Sequence, residues 1–297
     1  MHLSGDVIVG VDGSDQSAEA AAWALKELRG TEHGLRLVHV VTPAHLEIDD
    51  EADLRETGTS VLADLRTRLE ELDRAHPDGA AGTRIDTEVV VGDAAEALAQ
   101  RADDAGLLVL GRHGAGRVNS RRIGTVSFGL PGHALSAVLV HTVTAGSEFD
   151  DPSAHPARAG GRIVVGLDTS EYSHVAAQDA AALAVRSGWT LHVLVAPDTL
   201  GRRDATHAGA EAAVDWLRKD FPGLAIELEE LAGDPARLLL TASETADLVV
   251  LGKRGDGVFA GMTSQLGRTS SAVLTDAASS VLLVPYRRDE RLRARLA

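Results

Sequence analysis

The chain has 297 residues and a mass of 31.1 kDa, about twice a common domain length, so two domains are the first expectation. Apolar residues make up 44% and charged residues 25%, no apolar run reaches the ~18 residues of a membrane span, and the lack of cysteine excludes disulfides, thiolate nucleophiles and cysteine-ligated zinc. A formal charge of −15, with three Trp, two Tyr and four Phe, argues against a nucleic-acid partner, which needs basic patches and stacking platforms.

The segment after Met1 has no basic-then-apolar leader, so the expected location is the cytoplasm and no membrane partner is expected. Short runs rich in Val, Leu and Ile predict strands at 6–11, 35–41, 85–91, 106–110 and 137–141. Runs apolar on both faces suit buried parallel strands. Between them, helical spacing of Ala, Leu, Glu and Arg predicts helices at 16–29, 47–75, 94–103 and 124–135, with Ser14 or Asp15 capping the first and Asp93 the third. The pattern then restarts, with strands near 162–167, 190–196, 224–230, 247–251 and 280–284. The fold class is α/β: two tandem doubly wound, Rossmann-like domains, each with a five-stranded parallel sheet.

The restart is an internal repeat. Val7-Ile-Val-Gly-Val-Asp12-Gly-Ser14 returns as Ile163-Val-Val-Gly-Leu-Asp168-Thr-Ser170. Gly92-Asp93 returns as Gly233-Asp234, and Leu107-Leu-Val-Leu-Gly111 as Leu248-Val-Val-Leu-Gly252. The Gly10–Gly166 offset is 156, but the Gly92–Gly233 and Gly111–Gly252 offsets are both 141, so the second copy is shorter before its third strand. Domain one is set at 1–146, a Gly/Pro/Ser/Asp-rich linker at 147–160, domain two at 161–287 and a basic tail at 288–297.

Open parallel sheets bind ligands beyond the carboxyl ends of their strands. Asp12 closes the first strand, and the loop Gly111-Arg-His-Gly114 through Gly124-Thr125 follows the fourth. Glycines let backbone approach a ligand, and free N–H groups with a threonine hydroxyl favour phosphate. The alternative is a loop that uses glycine only to turn. Lys253-Arg254 breaks a Gly-Lys-Ser/Thr P-loop, and Val11-Asp12-Gly13-Ser14 is no dinucleotide fingerprint.

At these residues the chain resembles the universal stress protein family, across nearly all of both halves. Gly111, Gly114, Gly124 and Thr125 fit its nucleotide pattern Gly-x2-Gly-x9-Gly-Ser/Thr without a gap. The resemblance implies an ATP-binding first half, with magnesium as a companion ion, in which Asp12 holds the nucleoside, Val40 meets adenine, and Gly10, Leu110 and Val126 line the site. For the second half it implies a site at Gly166, Asp168, Val195, Leu251, Gly252, Gly255, Gly267, Arg268 and Thr269. There, eleven residues rather than nine separate Gly255 from Gly267, and Arg268 takes the Ser/Thr position. The resemblance also implies an internal pseudo-dimer through the fifth strands, 137–141 and 280–284, and admits a homodimer.

Other readings stay open. Asp12 and Asp168 could instead cap the turn after each first strand. His113 lies in the glycine loop and reads either as a phosphate neighbour or as a solvated residue. Arg121-Arg122 reads the same two ways, and the acidic run 47–53 reads as a solvated helix start. Twelve histidines form no His-x3-His pair, so no protein-only metal site is expected. Phosphoryl transfer needs a clamp and an oriented nucleophile, and no base beside the loop is evident. The expected role is therefore a nucleotide-binding regulator in stress response, not an enzyme, with slow ATP hydrolysis at most. The rivals are an adenylate-forming or phosphate-cleaving enzyme on the same scaffold, and a nucleotide-free scaffold.

Overall fold

A computed structural model of the chain describes residues 5–42, 51–76, 82–114, 123–143, 147–150, 160–168, 170–196, 203–254 and 266–286, the side chains of 203–207 excepted. The chain divides into two compact units, Leu3–Pro156 and Ala157–Ala297. In the first, the order is β1 (Val7–Val11), α1 (Asp15–Leu28), β2 (Leu35–Val41), α2 (Glu51–Arg74), β3 (Ile85–Val91), α3 (Ala94–Ala102), β4 (Leu107–Gly111), α4 (Thr125–Gly129), a 3₁₀ turn (Leu130–Gly132) and β5 (Ala137–His141). Its strands lie parallel in the order β3-β2-β1-β4-β5. The second unit repeats this with β6 (Arg162–Leu167), α5 (Glu171–Ser187), β7 (Thr190–Val195), α6 (Arg203–Asp220), β8 (Ile226–Glu230), α7 (Pro235–Ser243), β9 (Leu248–Gly252), α8 (Arg268–Asp276) and β10 (Ser280–Val284). Its strand order is β10-β9-β6-β7-β8, again parallel.

Alternation along the strands divides the first core. Ile8, Val38, Leu108 and Val138 pack with Leu98 and Ala102 of α3 and with Leu130. The alternate positions turn to the other face, where α1 touches β1 and β4 and α2 touches β2 and β3. The alanines of α1, at 20, 21, 22 and 24, are buried together with Leu25 and Leu28. β5, β9 and β10 are buried throughout, whereas β3 and β8, each at one end of its unit's sheet, expose Asp86 and the Glu227 and Glu229 positions. Charge on an outer strand discourages pairing with other chains.

Caps set the helix starts. Ser14 accepts the Ser17 N–H to begin α1, and Asp93 accepts the Glu96 N–H to begin α3. Gly92 and Gly233 have φ of 150° and 156°, which side chains rarely adopt, and each precedes a capping aspartate, Asp93 or Asp234. The repeated Gly-Asp pair is therefore a strand-to-helix turn. The helix expected at 124–135 needs correction: α4 ends at Gly129 and a 3₁₀ turn follows. Pro131 cannot donate an N–H, and its ring obstructs a continuing α-helix. The helix expected from 47 is described from Glu51, which pairs with Arg55 at 2.9 Å; residues 47–50 lie outside the described residues, as does the tail.

Residues 147–150, assigned by composition to a linker, pack on the first unit. Ser147 Oγ and the Glu148 N–H both donate to the Glu19 carboxylate of α1. Lys26 Nζ donates to Glu148 Oε2 at 3.1 Å, and the Arg68 guanidinium of α2 lies 4.3 Å from the centre of the Phe149 ring. His141, at the end of β5, sits 3.9 Å from Glu148 Oε1 and 6.2 Å, centroid to centroid, from Trp23. Burial, reinforced by the Lys26 charge, lowers the His141 pKa to about 4, while burial raises Glu148.

His141 should therefore make the fold acid-sensitive. Between about pH 6.5 and 4 the unfolded chain takes up a proton that the folded imidazole refuses, so stability falls on acidification by up to ~1.4 kcal/mol per pH unit. Glu148 acts with the opposite sign, but it is common to wild type and to His141→Asn. Urea unfolding of both proteins between about pH 4.5 and 7 should show the wild type losing ground to the variant as pH falls. A stability difference independent of pH would refute this.

Candidate functional site

In each unit the strand order reverses between its first and fourth strands, which opens a crevice at their carboxyl ends. In the first unit a cavity of about 370 Å³ lies there. Gly10, Asp12, Val40, Leu110, Gly111, Gly114, Gly124, Thr125 and Val126, the nine residues singled out in the first half, all line it. Sequence reasoning missed Val38, Ala94 and Leu98, which supply apolar wall, and Ser17 and Ser127. The period of the α3 helix could have found Leu98; Ser127 stands three residues after Gly124.

Asp12 has a structural task. Its Oδ1 accepts the Ser14 N–H at 3.0 Å and the Ser14 hydroxyl at 2.5 Å. The Ser17 hydroxyl in turn donates to the Ser14 carbonyl at 2.9 Å. The second unit repeats this: Asp168 Oδ1 accepts the Ser170 N–H at 2.9 Å and its hydroxyl at 2.5 Å, and Ser173 donates to the Ser170 carbonyl at 2.9 Å. Recurrence of the aspartate is thus explained by the turn that starts α1 and α5. Its other oxygen, Oδ2, faces Gly114: a Cβ added at Gly114 would collide with it.

The glycines divide by what crowds them. A Cβ at Gly111 would stand 2.8 Å from the Gln16 carbonyl carbon, and one at Gly252 would stand 2.7 Å from Tyr172 Cβ. Both glycines let a helix N-terminus lie against the end of the fourth strand of its unit, whatever binds nearby. At Gly10 the obstacle is Leu110 Cδ2, at 2.7 Å. The loop then closes in the same way in both units. Gly124 donates to the Arg112 carbonyl at 2.9 Å, and Gly267 to that of Lys253 at 2.8 Å. The Ser127 and Ser270 hydroxyls donate to the Gly111 and Gly252 carbonyls at 2.7 and 2.8 Å.

In the second unit Gly166, Asp168, Leu251, Gly252, Gly267, Arg268 and Thr269 stand at the matching strand ends and helix start. Val195 does not match Val40. It pairs with Leu167 as His39 pairs with Val11, so Ala196 holds the place of Val40. Val195 is buried and belongs to the opposite face of the sheet. The Arg268 side chain is 90% exposed, with Nη2 3.9 Å from Asp234 Oδ2. Gly255 lies outside the described residues, as do Arg121 and Arg122.

Two buried cations sit at one register position, Arg112 and Lys253. Burial, followed by the Arg254 charge, lowers the Lys253 pKa to about 7. His39 and His192 are both engaged: His39 Nδ1 bonds the Val11 carbonyl at 2.8 Å, and His192 Nδ1 lies 2.8 Å from Arg162 Nη2. Burial, aided by the Arg162 charge, lowers the His192 pKa. Among the described residues no group of three or more His, Asp or Glu is placed to hold a metal, and no helix is long and apolar enough to cross a membrane.

The profile of the Universal stress protein family matches residues 5–141 and 161–285. The universal stress protein Rv2623 of Mycobacterium tuberculosis is 30% identical over 292 residues, covering 89% of this chain and 94% of that protein. A crystal structure of a universal stress protein from Archaeoglobus fulgidus has a TM-score of 0.71 at 19% identity, covering 95% of this chain and 98% of that one. A universal stress protein crystallised with cAMP is 23% identical over 43% of this chain and 98% of its own, with a TM-score of 0.35.

Lys253 carries its own test. Its folded pKa lies below the ordinary 10.5, so between about pH 7 and 10 the unfolded chain holds the extra proton and stability rises with pH. Lys253→Met should be more stable than wild type at about pH 7, since an apolar side chain avoids the desolvation of a buried charge. The gap should narrow toward about pH 10. Chemical denaturation across that range measures it, and a gap that stays constant would show that the Lys253 charge costs the fold nothing.

Proposed function

Because the chain belongs to the universal stress protein family, we propose that its first unit binds an adenine nucleotide, ATP with magnesium as companion, and acts as a nucleotide-responsive regulator in the cytoplasm. The observation that carries this is the convergence of the nine motif residues on one cavity at the strand reversal. Val38, Val40, Leu98 and Leu110 offer a base an apolar slot, and the Gly111–Gly114 turn offers backbone to a phosphate. Asp12, already holding the Ser14 turn through Oδ1, is suited to a sugar hydroxyl rather than to general-base work. Asp12 and His113 are the only ionisable side chains among the described lining residues, a poor set for phosphoryl transfer.

Calorimetric titration of the full chain with ATP tests the proposal. Gly114→Val and Asp12→Ala should each weaken binding about tenfold or more, ~1.4 kcal/mol; the first crowds Asp12 Oδ2 and the second releases the Ser14 turn, so thermal unfolding of each variant is measured beside its affinity. Unchanged affinity in both variants, with preserved thermal stability, would sink the assignment. Hydrolysis should stay below about 1 s⁻¹, the low end of ordinary enzymes. Faster turnover would favour an enzyme on the same scaffold. The second unit, with Ala196 in place of Val40 and Arg268 in place of Thr125, is proposed as the weaker site. Val40→Ala should therefore move the first site toward the affinity of the second.

A further inference from the structure

The chain carries only two tyrosines and no cysteine. Both tyrosines, Tyr172 and Tyr286, belong to the second unit, and they meet. Their ring centroids stand 5.4 Å apart with the planes tilted by 49°, inside the span of about 4.5–7 Å over which aromatic rings touch. Each is half-buried, so neither is sealed from solvent.

Secondary structure holds the pair in place. Tyr172 is the second residue of α5, whose start the Ser170 cap fixes. A Cβ at Gly252 would stand 2.7 Å from Tyr172 Cβ, so that glycine seats the tyrosine against the end of β9. β10 runs beside β9 with Val284 opposite Gly252, and buried Pro285 carries the chain from there to Tyr286. Neither ring is demanded by the shared frame. The first unit keeps the same strand pairing, with Gln16 and Val143 at these two places.

Holding two reactants in contact replaces an encounter between molecules with an intramolecular step. We propose that Tyr172 and Tyr286 form a modification site, coupling into an intramolecular dityrosine when a haem peroxidase and hydrogen peroxide act on the chain. Each phenol gives up one electron and one proton to become a tyrosyl radical. The two radicals join through the ring carbons ortho to their oxygens, and the hydrogen on each of those carbons moves to the neighbouring oxygen as the rings regain aromaticity. The peroxide takes up the two electrons and two protons and leaves as two waters, so the protein loses two hydrogen atoms. In a chain without thiols, the new bond ties the start of α5 to the end of β10 as a disulfide would, by restricting the unfolded chain.

The full chain is treated with a haem peroxidase and hydrogen peroxide, as wild type, Tyr172→Phe and Tyr286→Phe, with thermal unfolding of each. Phenylalanine keeps the ring and its packing but has no phenolic hydrogen to lose. Wild type should gain dityrosine fluorescence in the monomer band, lose two hydrogen atoms from its intact mass, and release on proteolysis two peptides joined through Tyr172 and Tyr286. The yield should be unchanged by about tenfold dilution, because no second chain is needed. Each variant should lose the fluorescence at least about tenfold, since coupling then requires two molecules to meet. The wild-type mass and dilution readings decide the matter even where a variant unfolds. Dityrosine confined to linked dimers, or a yield that falls with dilution, would overturn the proposal by placing the partner phenol on another chain. Tyrosines that stay unjoined, while free tyrosine couples in a parallel mixture, would overturn it as well. None of these readings involves a nucleotide, so they stand apart from the assignment of the first unit.

Discussion

The contact on which the rest of the site depends is the approach of α1 to the end of β4. The Gln16 carbonyl carbon would stand 2.8 Å from a Cβ at Gly111, so only a residue without a side chain lets the two elements meet. That approach places the Asp12-Ser14-Ser17 turn beside the glycine loop, with Gly114 against Asp12 Oδ2. The Gly124–Arg112 and Ser127–Gly111 bonds then return the loop to the strand it left. A crevice that strand order alone would leave open is thus lined by groups anchored in secondary structure. Sites held by such elements are better preorganised than sites held by loops alone.

Element order was legible in the sequence because burial on both faces writes itself as apolar runs, and caps write themselves as Ser14 and Asp93. Of the first half's cavity residues, Gly111, Gly114, Gly124 and Thr125 were legible through motif spacing, and Gly10, Asp12, Val40, Leu110 and Val126 through the family resemblance. Less could be read where tertiary geometry decides. Val195 and Ala196 are both apolar, so only strand register tells which one faces the cavity side, and a one-residue slip changes the face entirely. Asp12 and Asp168 recur because each builds a turn, a task whose signal, Ser14 with Ser17 and Ser170 with Ser173, sat in the sequence in plain view. Residues 147–150 have linker composition, yet Glu148 finds Lys26, 122 positions away, which no local pattern announces.

The two units show how one scaffold tolerates different contents. Gln16 corresponds to Tyr172, Val40 to Ala196, Arg112 to Lys253 and His113 to Arg254, while the turn and loop hydrogen bonds repeat almost length for length. What repeats is the hydrogen-bonded frame. What varies is the set of side chains that a ligand would meet.

That division bears on how duplicated domains diverge. Gly111 and Gly252 are demanded by helix packing, so a copy that ceased to bind anything would still be held to glycine there by its own folding. Asp12 and Asp168 are similarly retained by the turns they close. A sequence signature built on those positions records ancestry and foldability, and it would go on matching a copy long after its chemistry had gone. The positions where the two copies differ and that carry none of these turn and loop hydrogen bonds are 40 and 113 in the first copy, and 196 and 254 in the second.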